Sequence, residues 1–361
     1  MNNDYEIIIV GSGPAGISTW LHLNKLSPDI ASKTLILEKK KHPREKICGG
    51  ALLNQIIRPI LHNLDFKLKI PIIDINHVKV ISGNREFDFE KDAFMSIVDR
   101  AEFDEALYKH AKNKGALINQ EETYLNLKKE QKAVILDTTE KTYKTRYVVG
   151  ADGALSKIRK HIPQKECIKF ASTLNTFLPV DSSIDNEFKS HKMIMDFSCS
   201  KNGIHGYLWH FPFLKNKQPY MNHGICNSRL IQQSPSINFK KYFINHLHSR
   251  YKNDFDYELK SHPVTYFDKN AILSDRQILL VGDAAGIEPL IGGGIHLSLL
   301  YGHIAAKNLV DSFNTFDLKN YSSQIAHNYV GKYISNSISM AKQIYTGKAD
   351  IIPTIEKIFT M

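Results

Sequence analysis

The sequence predicts an α/β fold in which one domain, built of parallel strands and helices, is interrupted by a second domain with a mixed or antiparallel β-sheet. The chain opens with an apolar strand, a glycine turn and a helix over residues 5–26. Residues 165–270 mix aromatic residues, turns and short alternating runs, which is typical of an antiparallel sheet. A short apolar strand, a glycine-rich turn and a helix return over 278–310. Since these motifs lie on both sides of the sheet-rich region, the interruption of one domain by another is the simplest arrangement.

The elements of the first domain follow from their apolar patterns. Residues 5–10 and 34–38 read as buried strands that flank a helix over 14–26, which makes a βαβ unit. The segment 99–114 is predicted to be a helix because its apolar residues fall on one face. The same reasoning predicts a hairpin near 121–137, a strand that ends at Gly150, and a mostly helical, amphipathic segment over 311–361.

These elements give the predicted domain boundaries. The first domain is expected to be discontinuous, the second to be formed by two separate segments, and the helical region to close the chain. The ranges are 1–70, 95–164 and 271–310 for the first domain, 71–94 and 165–270 for the second, and 311–361 for the helical region.

The composition is that of a globular protein, with 42% hydrophobic and 23% charged residues and a formal net charge of +10. The lysines are spread widely and form no dense basic tract, so nucleic-acid binding is disfavoured, whereas contact with an anionic membrane surface is compatible with the charge. The first strand begins at Tyr5, which leaves no room for a signal peptide, and no run of roughly 20 apolar residues is present. We expect a cytoplasmic protein, with peripheral membrane contact as an option. The oligomeric state is left open.

The four cysteines lie far apart and form no CxxC pair. A zinc site is therefore not expected, and no disulfide is expected in a reducing compartment. Only Cys48 has a distinctive setting, since it stands directly before two glycines.

The first motif is GSGPAG, residues 11–16, between a predicted strand and a helix. Gly11 permits the tight turn, Gly13 lets the backbone approach a pyrophosphate, and Gly16 lets the helix pack on the strand. The free N–H groups of the helix then face the phosphates. Glu38, at the end of the next strand, is placed to bind ribose hydroxyls. The alternative is a purely structural glycine turn. No second fingerprint of this kind follows, so a separate pyridine-nucleotide domain is not predicted.

The second motif, VVGADGALSKIR over 148–159, places Asp152 and Gly153 at a strand end. The carboxylate can accept from a backbone or ribose group, and the glycine allows close approach. Arg159 on the following turn can meet a phosphate or a carboxylate. The alternative is a capped helix start.

The third motif, over 280–295, combines Asp283 at a strand end with Gly292, Gly293 and Gly294 at the start of a helix. Asp283 suits a ribityl hydroxyl. The positive helix end, free of side chains, favours negative charge such as that at the N1–C2=O edge of a reduced flavin. The alternative is another helix N-terminus with flexible glycines.

In this order, the three motifs resemble the FAD-binding pattern of the glutathione-reductase-like superfamily, in the branch of the aromatic hydroxylases, flavin halogenases and geranylgeranyl reductases. The resemblance covers most of residues 5–310. It implies that the first domain is a Rossmann-like FAD-binding domain and that the second domain binds the substrate.

Three segments resemble the geranylgeranyl reductases within that branch. PREKICGG, residues 43–50, is similar to their PxxxCGG segment, and YLWHFP, residues 207–212, is similar to their YxWxFP motif. The GDAAG segment at 282–286 also looks like the reductase version, since aromatic hydroxylases commonly carry a histidine in place of Gly286. Two residues depart from the family: Ala51 replaces a frequent third glycine, and Phe213 stands where a lysine is common.

The YLWHFP segment can also be interpreted without the family. Its tyrosine, tryptophan, phenylalanine and proline offer a large rigid apolar wall, which suits a prenyl chain with few polar groups. The alternative is a strand of ordinary core aromatics. Phe87, Phe89 and Phe94 are open to the same two interpretations.

The implied reaction is the reduction of a carbon–carbon double bond by hydride from reduced FAD. Cys48, Tyr207, His210 and a flavin-bound water are candidate proton sources. Arg100 is either a flavin-facing arginine or an exposed charge near a helix start.

The candidate site comprises three groups. The catalytic candidates are Cys48, Tyr207 and Trp209. The substrate contacts are Tyr207, Trp209, Phe211, Pro212 and Pro289. The cofactor contacts are Gly11, Gly13, Pro14, Ala15, Gly16, Glu38, Lys39, Arg44, Cys48, Gly49, Gly50, Arg100, Asp152, Gly153, Gly282, Asp283, Gly292, Gly293, Gly294 and Ile295.

Three functions remain open from the sequence. The first is an FAD-dependent reductase of an isoprenoid substrate, with NAD(P)H or another electron donor bound transiently. The second is a flavin monooxygenase or halogenase that acts on an aromatic or polyketide-like substrate. The third is a non-catalytic isoprenoid-binding protein, against which the intact Asp152–Gly153 and Gly282–Asp283 pairs argue.

Overall fold

The fold was analysed in a computed structural model that describes residues 4–163, 169–231, 238–251, 257–287 and 292–360. Its strands are β1 Tyr5–Val10, β2 Thr34–Glu38, β3 Ala51–Leu53, β4 Ile72–Ser82, β5 Arg85–Val98, β6 Leu117–Gln120, β7 Tyr124–Lys129, β8 Val134–Thr138, β9 Thr142–Gly150, β10 Phe170–Pro179, β11 Lys192–Asp196, β12 Leu208–Lys215, β13 Gln218–Asn227, β14 Lys260–Thr265 and β15 Ile278–Leu280. Its α-helices are α1 Pro14–Leu26, α2 Pro28–Ser32, α3 Asn54–Asn63, α4 Arg100–Asn113, α5 Asn186–Lys189, α6 Phe239–Tyr251, α7 Gly294–Asp311, α8 Asn320–His327, α9 Tyr329–Tyr345 and α10 Ile351–Thr360.

The first sheet has the order β6–β2–β1–β9–β8–β7, with β15 added alongside β9. The β1, β2, β6, β9 and β15 pairings are parallel, whereas β7, β8 and β9 form an antiparallel meander. Because β1 and β15 both flank β9, the turns that follow β1, β9 and β15 meet at one edge. The predicted βαβ opening and the return of the chain to this sheet at β15 are therefore confirmed.

Helix α4 confirms the helix predicted from one-sided apolar spacing. The Asp99 side chain caps it by accepting a hydrogen bond from Ala101 N at 2.8 Å. Phe103, Leu107 and Ala111 of this helix are fully buried in the core. The predicted hairpin near 121–137 corresponds to β7 and β8.

The second sheet has the order β14–β10–β13–β12–β11–β4–β5–β3. All its pairings are antiparallel except that of β11 with β4. Strand β3 and the end of β5 belong to this sheet although the predicted boundaries assign 51–53 and 95–98 to the first domain. The division into domains stays a prediction.

The C-terminal region is helical, as predicted. Helices α8 and α9 pack on α7, and α10 packs against β4 and β5 of the second sheet. Ile351 and Ile355 of α10 are buried in that contact, and Arg85 and Asp350 form an ion pair beside it. Among the helices that the structure describes, none combines the length and apolar character needed to cross a membrane.

Candidate active site

A cavity of about 660 Å³ runs from the glycine turn after β1 to the aromatic residues of β12. Side chains and backbone from both sheets line it, so the fold brings the three sequence motifs and the YLWHFP segment to one place. Most of the predicted site residues form part of this lining. Gly16, Gly282 and Pro212 lie outside it, and Pro289 lies outside the described residues.

The glycine turn after β1 has two kinds of glycine. At Gly11, with φ of +111°, a Cβ would lie 2.3 Å from Ala151 O, and at Gly16 a Cβ would lie 2.0 Å from Gly11 O. These two positions therefore serve close packing. At Gly13 a Cβ would meet only the Arg44 Nη2 atom, at 3.3 Å, so this glycine faces the cavity. Helix α1 begins beside it with Pro14 and Ala15 and has no side-chain cap.

Glu38 lies beside the glycine turn and is buried. Its Oε2 atom accepts hydrogen bonds from Ser12 N at 3.0 Å and Ser12 Oγ at 2.8 Å. Its Oε1 atom accepts from Lys40 N at 3.1 Å. Arg44 Nε stands 3.4 Å from the same carboxylate, and the backbone beside Lys39 completes this end of the cavity. The carboxylate is thus held in place at the edge predicted for a ribose.

Arg100 is only 8% exposed, which excludes the interpretation as an exposed charge. Its Nε and Nη2 atoms donate to the Asp104 carboxylate at 3.0 Å each. Burial opposes its charge, but Asp104 and Cys48 outweigh burial and raise the pKa of Arg100 above its ordinary value. Arg44 Nη2 lies 3.3 Å from the same Asp104, so two arginines at the cavity share one carboxylate.

Asp152 supports the interpretation of the second motif as a capped turn. Its carboxylate accepts from Ser156 Oγ at 2.6 Å, Lys157 N at 2.7 Å and Ile158 N at 3.2 Å. Gly153, with φ of +84°, faces open space, since a Cβ there would meet no heavy atom within 4 Å. Both residues line the cavity.

Arg159 joins the second motif to the third rather than reaching into the cavity. Its Nε atom donates to Ala284 O at 2.7 Å and its Nη2 atom donates to Asp283 O at 3.0 Å. Gly282 has a similar packing role, because a Cβ there would lie 2.8 Å from the Ala15 side chain. These contacts fix the third motif against the first two.

Asp283 projects into the cavity beside two basic groups that sequence reasoning missed. Its Oδ2 atom lies 3.7 Å from Lys46 Nζ and 3.8 Å from His262 Nε2. Burial opposes the carboxylate charge, but His262, Lys46 and Arg100 outweigh burial and lower the pKa of Asp283 to about 2. Asp283 is therefore ionised at neutral pH.

The start of α7 reaches the aromatic end of the cavity. Gly292 and Gly293 have φ values of +86° and +96°, and Gly292, Gly293, Gly294 and Ile295 all line the cavity. A Cβ on Gly292 would lie 3.7 Å from Tyr207 Oη, which places the phenol beside this helix terminus.

The aromatic wall consists of Tyr207, Trp209 and Phe211, whose side chains line the cavity and are almost fully buried. Met95, Met193 and Met195, which sequence reasoning missed, line the same end. Since residues alternate along β12, Pro212 lies on the opposite face from Trp209 and Phe211. Phe94 is buried in the core cluster of this sheet, and Phe87 and Phe89 pack against that cluster.

Two residues hold the wall against the Cys48 loop, and neither was predicted. Asn222 Oδ1 accepts from Trp209 Nε1 at 3.0 Å, and Asn222 Nδ2 donates to Cys48 O at 2.7 Å. Gly224 lies under the indole, since a Cβ there would fall 2.0 Å from Trp209 Cζ2. Gly49 approaches the other side of the wall, with a Cβ position 3.2 Å from the Phe211 ring. The roles of Asn222 and Gly224 follow from the register of the paired strands, and a single sequence does not reveal that register.

His210 faces away from the cavity, so its interpretation as a proton source is not supported. It belongs to a buried chain of hydrogen bonds on the opposite face of the second sheet. Tyr251 Oη lies 2.6 Å from His223 Nε2, His223 Nδ1 lies 2.6 Å from His210 Nδ1, and His210 Nε2 lies 3.1 Å from His246 Nε2. Burial is the main cause that lowers the pKa values of all three histidines. Within the described part of the chain, no group of His, Cys, Asp and Glu side chains has the arrangement of a metal site.

This histidine chain predicts acid-sensitive stability. Above the ordinary pKa of 6.5, folded and unfolded chains both hold neutral imidazoles, so the chain contributes no pH dependence. Below this pH, the histidines of the unfolded chain bind protons while those of the folded protein stay neutral. Each such histidine lowers the free energy of unfolding by up to about 1.4 kcal/mol for each pH unit of acidification. We expect His246→Gln to make this slope shallower, by at most about one such step, measured by urea unfolding between about pH 6.5 and 5.

The exposed His62 supplies the matched control. His62→Gln is expected to leave the slope of unfolding free energy against pH as in the unsubstituted protein. Equal slopes for the two variants would show that His246 takes up its proton normally in the folded state.

The cavity fits a dinucleotide cofactor. Gly13, Gly153 and Gly292 leave open space along it, and charged groups lie at the glycine turn and around Asp283. The N-terminal N–H groups of α1 and α7 face its two parts. Such N–H groups stabilise phosphate oxygens at one end and negative charge on a flavin ring at the other.

The comparisons with known proteins agree with this fit. Residues 4–311 match the sequence family described as an FAD binding domain. An uncharacterized protein of Methanosarcina barkeri is 27% identical over 93% of this chain and 85% of its own length. Digeranylgeranylglycerophospholipid reductase 3 of Methanosphaera stadtmanae is 25% identical over 95% of this chain and 87% of its own length. A geranylgeranyl bacteriochlorophyll reductase-like structure from Thermoplasma acidophilum has a TM-score of 0.76 at 21% identity, covering 95% of this chain and 87% of that one.

These matches confirm the resemblance to the geranylgeranyl reductases that the three sequence segments indicated. They also confirm FAD as the cofactor and an FAD-dependent oxidoreductase as the class of protein. The family match extends over both sheets and the whole of α7. The chain therefore belongs to the FAD binding domain family.

Proposed function

We propose that this protein reduces carbon–carbon double bonds of an isoprenoid chain, with FAD as the hydride carrier. The observation that supports this most is the position of the aromatic wall, which lies beside the start of α7 in the same cavity as the FAD motifs. A relative similar over nearly the whole chain is named a digeranylgeranylglycerophospholipid reductase.

The aromatic end of the cavity suits a prenyl chain. The methionines Met95, Met193 and Met195 line the cavity and pack in one apolar cluster with Trp209. Methionine side chains adapt to irregular apolar ligands. An isolated alkene offers no carbonyl group to polarise, so positioning and exclusion of water must supply much of the catalysis. A polar head group would remain outside this end, and the net charge of +10 suits docking of a lipid substrate at an anionic membrane.

In this proposal some residues bind the cofactor and others bind the substrate. Reduced FAD, when bound, supplies the hydride. Glu38, Arg44 and Asp283 would hold the cofactor, and Trp209 and Phe211 would position the alkene beside it. The protein also needs a transient electron donor, for which NAD(P)H is our candidate.

Anaerobic incubation of the dithionite-reduced protein with a panel of prenyl lipids tests this function. We expect products that have gained two hydrogen atoms per reduced double bond, detected by mass spectrometry. No gain across the panel would contradict the proposal. Oxygen-dependent hydroxylation or halogenation of an aromatic substrate would favour the monooxygenase or halogenase alternative. A purified protein that is colourless and cannot take up FAD would favour an isoprenoid-binding protein.

Cys48 is proposed to lie beside the flavin ring and to contribute to the reaction. Its Sγ atom accepts from Gly50 N at 3.4 Å, and its carbonyl group is bound by Asn222. We expect the Cys48→Ser protein to stay yellow and FAD-bound. Its alkene reduction should be slower by about 10-fold or more, or should give a different product. Single-turnover product analysis is the measurement. Unchanged turnover would leave the thiol as a small residue in a tight turn.

A further inference from the structure

Lys46 is the cavity residue that the sequence motifs overlooked. It precedes Cys48 by two positions, and its side chain reaches the same cavity. Its Nζ atom lies 2.6 Å from His262 Nε2 and 3.7 Å from Asp283 Oδ2. An ammonium N–H can donate to an imidazole nitrogen at such a distance. Lys46 thus holds transferable protons inside the cavity.

His262 is the partly exposed partner of this ammonium group. It stands on β14, where it pairs with Thr173, and both residues line the cavity. Its side chain keeps 25% of its surface exposed. The imidazole is therefore partly exposed while its Nε2 atom contacts the Lys46 amine, whose side chain keeps a similar 22% of its surface exposed. A proton can pass from water to Lys46 through this one ring.

The other candidate proton donors are less well placed. The Cys48 sulfur accepts a hydrogen bond from Gly50 N and interacts with Arg100. His210 lies on the opposite face of the second sheet. Tyr207 also lines the cavity, where its phenol lies beside the start of α7.

We propose that Lys46 is the proton donor of the reaction and that His262 replenishes it from solvent. The proposal rests on the proposed function. One alkene carbon gains the hydride supplied by reduced FAD, while the π electron pair takes the Lys46 proton at the other carbon. Lys46 is left as a neutral amine and regains a proton from water through His262. Overall, the electron donor that reduces FAD supplies two electrons, and the double bond gains these two electrons and two protons.

The surroundings of Lys46 favour proton release. Burial lowers the pKa of its ammonium group, and Arg100 acts in the same direction, whereas Asp283 opposes both. A donor works best when its pKa lies near the working pH. The charged and titratable groups that face Lys46 are His262, Asp283, Arg100, Cys48 and Asp104.

The test compares Lys46→Arg with Lys46→Met. Arginine keeps the positive charge beside Asp283 but does not release a proton at any pH that the protein tolerates. We expect both variants to keep FAD and to be reduced by dithionite normally. In single-turnover reactions with geranylgeranyl lipid we expect both to be at least about 100-fold slower. The decline in rate at high pH, which marks loss of the Lys46 proton in the unsubstituted protein, should be missing from both.

His262→Gln separates donation from replenishment. The first turnover of the His262→Gln protein is expected to keep most of the unsubstituted rate, because Lys46 already carries a proton. Later turnovers should be slower. Lys260→Met is the control: Lys260 lies two residues away on β14 and its side chain binds Glu45 and Glu258. It should behave as the unsubstituted protein does.

The outcomes separate this inference from the proposed function. If Lys46→Arg reduces the lipid at the unsubstituted rate, or keeps its high-pH decline, Lys46 acts only through its charge and the inference is wrong. If the unsubstituted protein reduces no prenyl lipid, the proposed function fails and the inference fails with it.

Discussion

Gly13→Ala is expected to weaken FAD binding strongly while the fold stays intact. Gly13 has φ of −73° and ψ of −179°, which any residue adopts, so alanine brings no backbone strain. Its Cβ would meet only the Arg44 side chain, at 3.3 Å. The new methyl group would instead occupy the approach to the free N–H groups of α1, where a pyrophosphate binds. We expect the FAD dissociation constant to rise about 100-fold or more, a loss of about 2.7 kcal/mol, measured by flavin fluorescence titration.

Gly16→Ala is the matched comparison for Gly13→Ala. Its Cβ would lie 2.0 Å from Gly11 O, so the helix or the turn must move and the apoprotein itself should lose stability. Gly13→Ala should unfold at the same urea concentration as the unsubstituted apoprotein. Normal FAD affinity in Gly13→Ala would show that the cofactor does not approach this turn.

Gly224→Ala is expected to slow alkene reduction strongly in a protein that still binds FAD. The new Cβ would lie 2.0 Å from the Trp209 ring, so the indole must leave its place. Its hydrogen bond to Asn222 would then break, and Asn222 also holds the Cys48 carbonyl group. Misplacement of a substrate-positioning group by about 1 Å costs on the order of 100-fold in rate. We expect a loss of that size in single-turnover product formation.

A double substitution checks the cause of that loss. Overpacking by Gly224→Ala should cost about 1–3 kcal/mol of stability. Trp209→Ala removes the ring with which the new Cβ clashes. Trp209→Ala should therefore destabilise the Gly224→Ala protein less than it destabilises the unsubstituted protein. It should not restore turnover. Full turnover in Gly224→Ala would mean that the indole is not part of the substrate wall.

Local patterns were enough to predict the FAD half of the fold. The strand–glycine–helix unit at Gly11 and the glycine run before α7 each specify a backbone geometry within a few residues. The parallel order of the strands then brings the ends of β1, β9 and β15 together. The one-sided apolar spacing of α4 predicted its buried face for the same local reason.

The remaining site depends on contacts between distant segments. Asn222 acts on Cys48 across 174 residues of sequence, and Lys46 meets His262 across 216. The pairing of β10 with β14 places His262, and that of β12 with β13 places Asn222, where the segment that carries Lys46 and Cys48 meets them. The same limit explains Arg159, whose guanidinium binds the carbonyl groups of Asp283 and Ala284 instead of a ligand. An arginine after a glycine turn carries no local sign of which partner it will find.

The most direct measurement of the proposed activity is flavin reoxidation under strict exclusion of oxygen. The photoreduced protein is mixed rapidly with a geranylgeranyl lipid, and the visible spectrum of the flavin is followed. We predict that the oxidised flavin spectrum returns in step with saturation of the lipid, and that the fully saturated lipid leaves the flavin reduced. A flavin that stays reduced with every prenyl lipid, and is reoxidised only when oxygen is admitted, would contradict the proposal that this protein reduces isoprenoid double bonds.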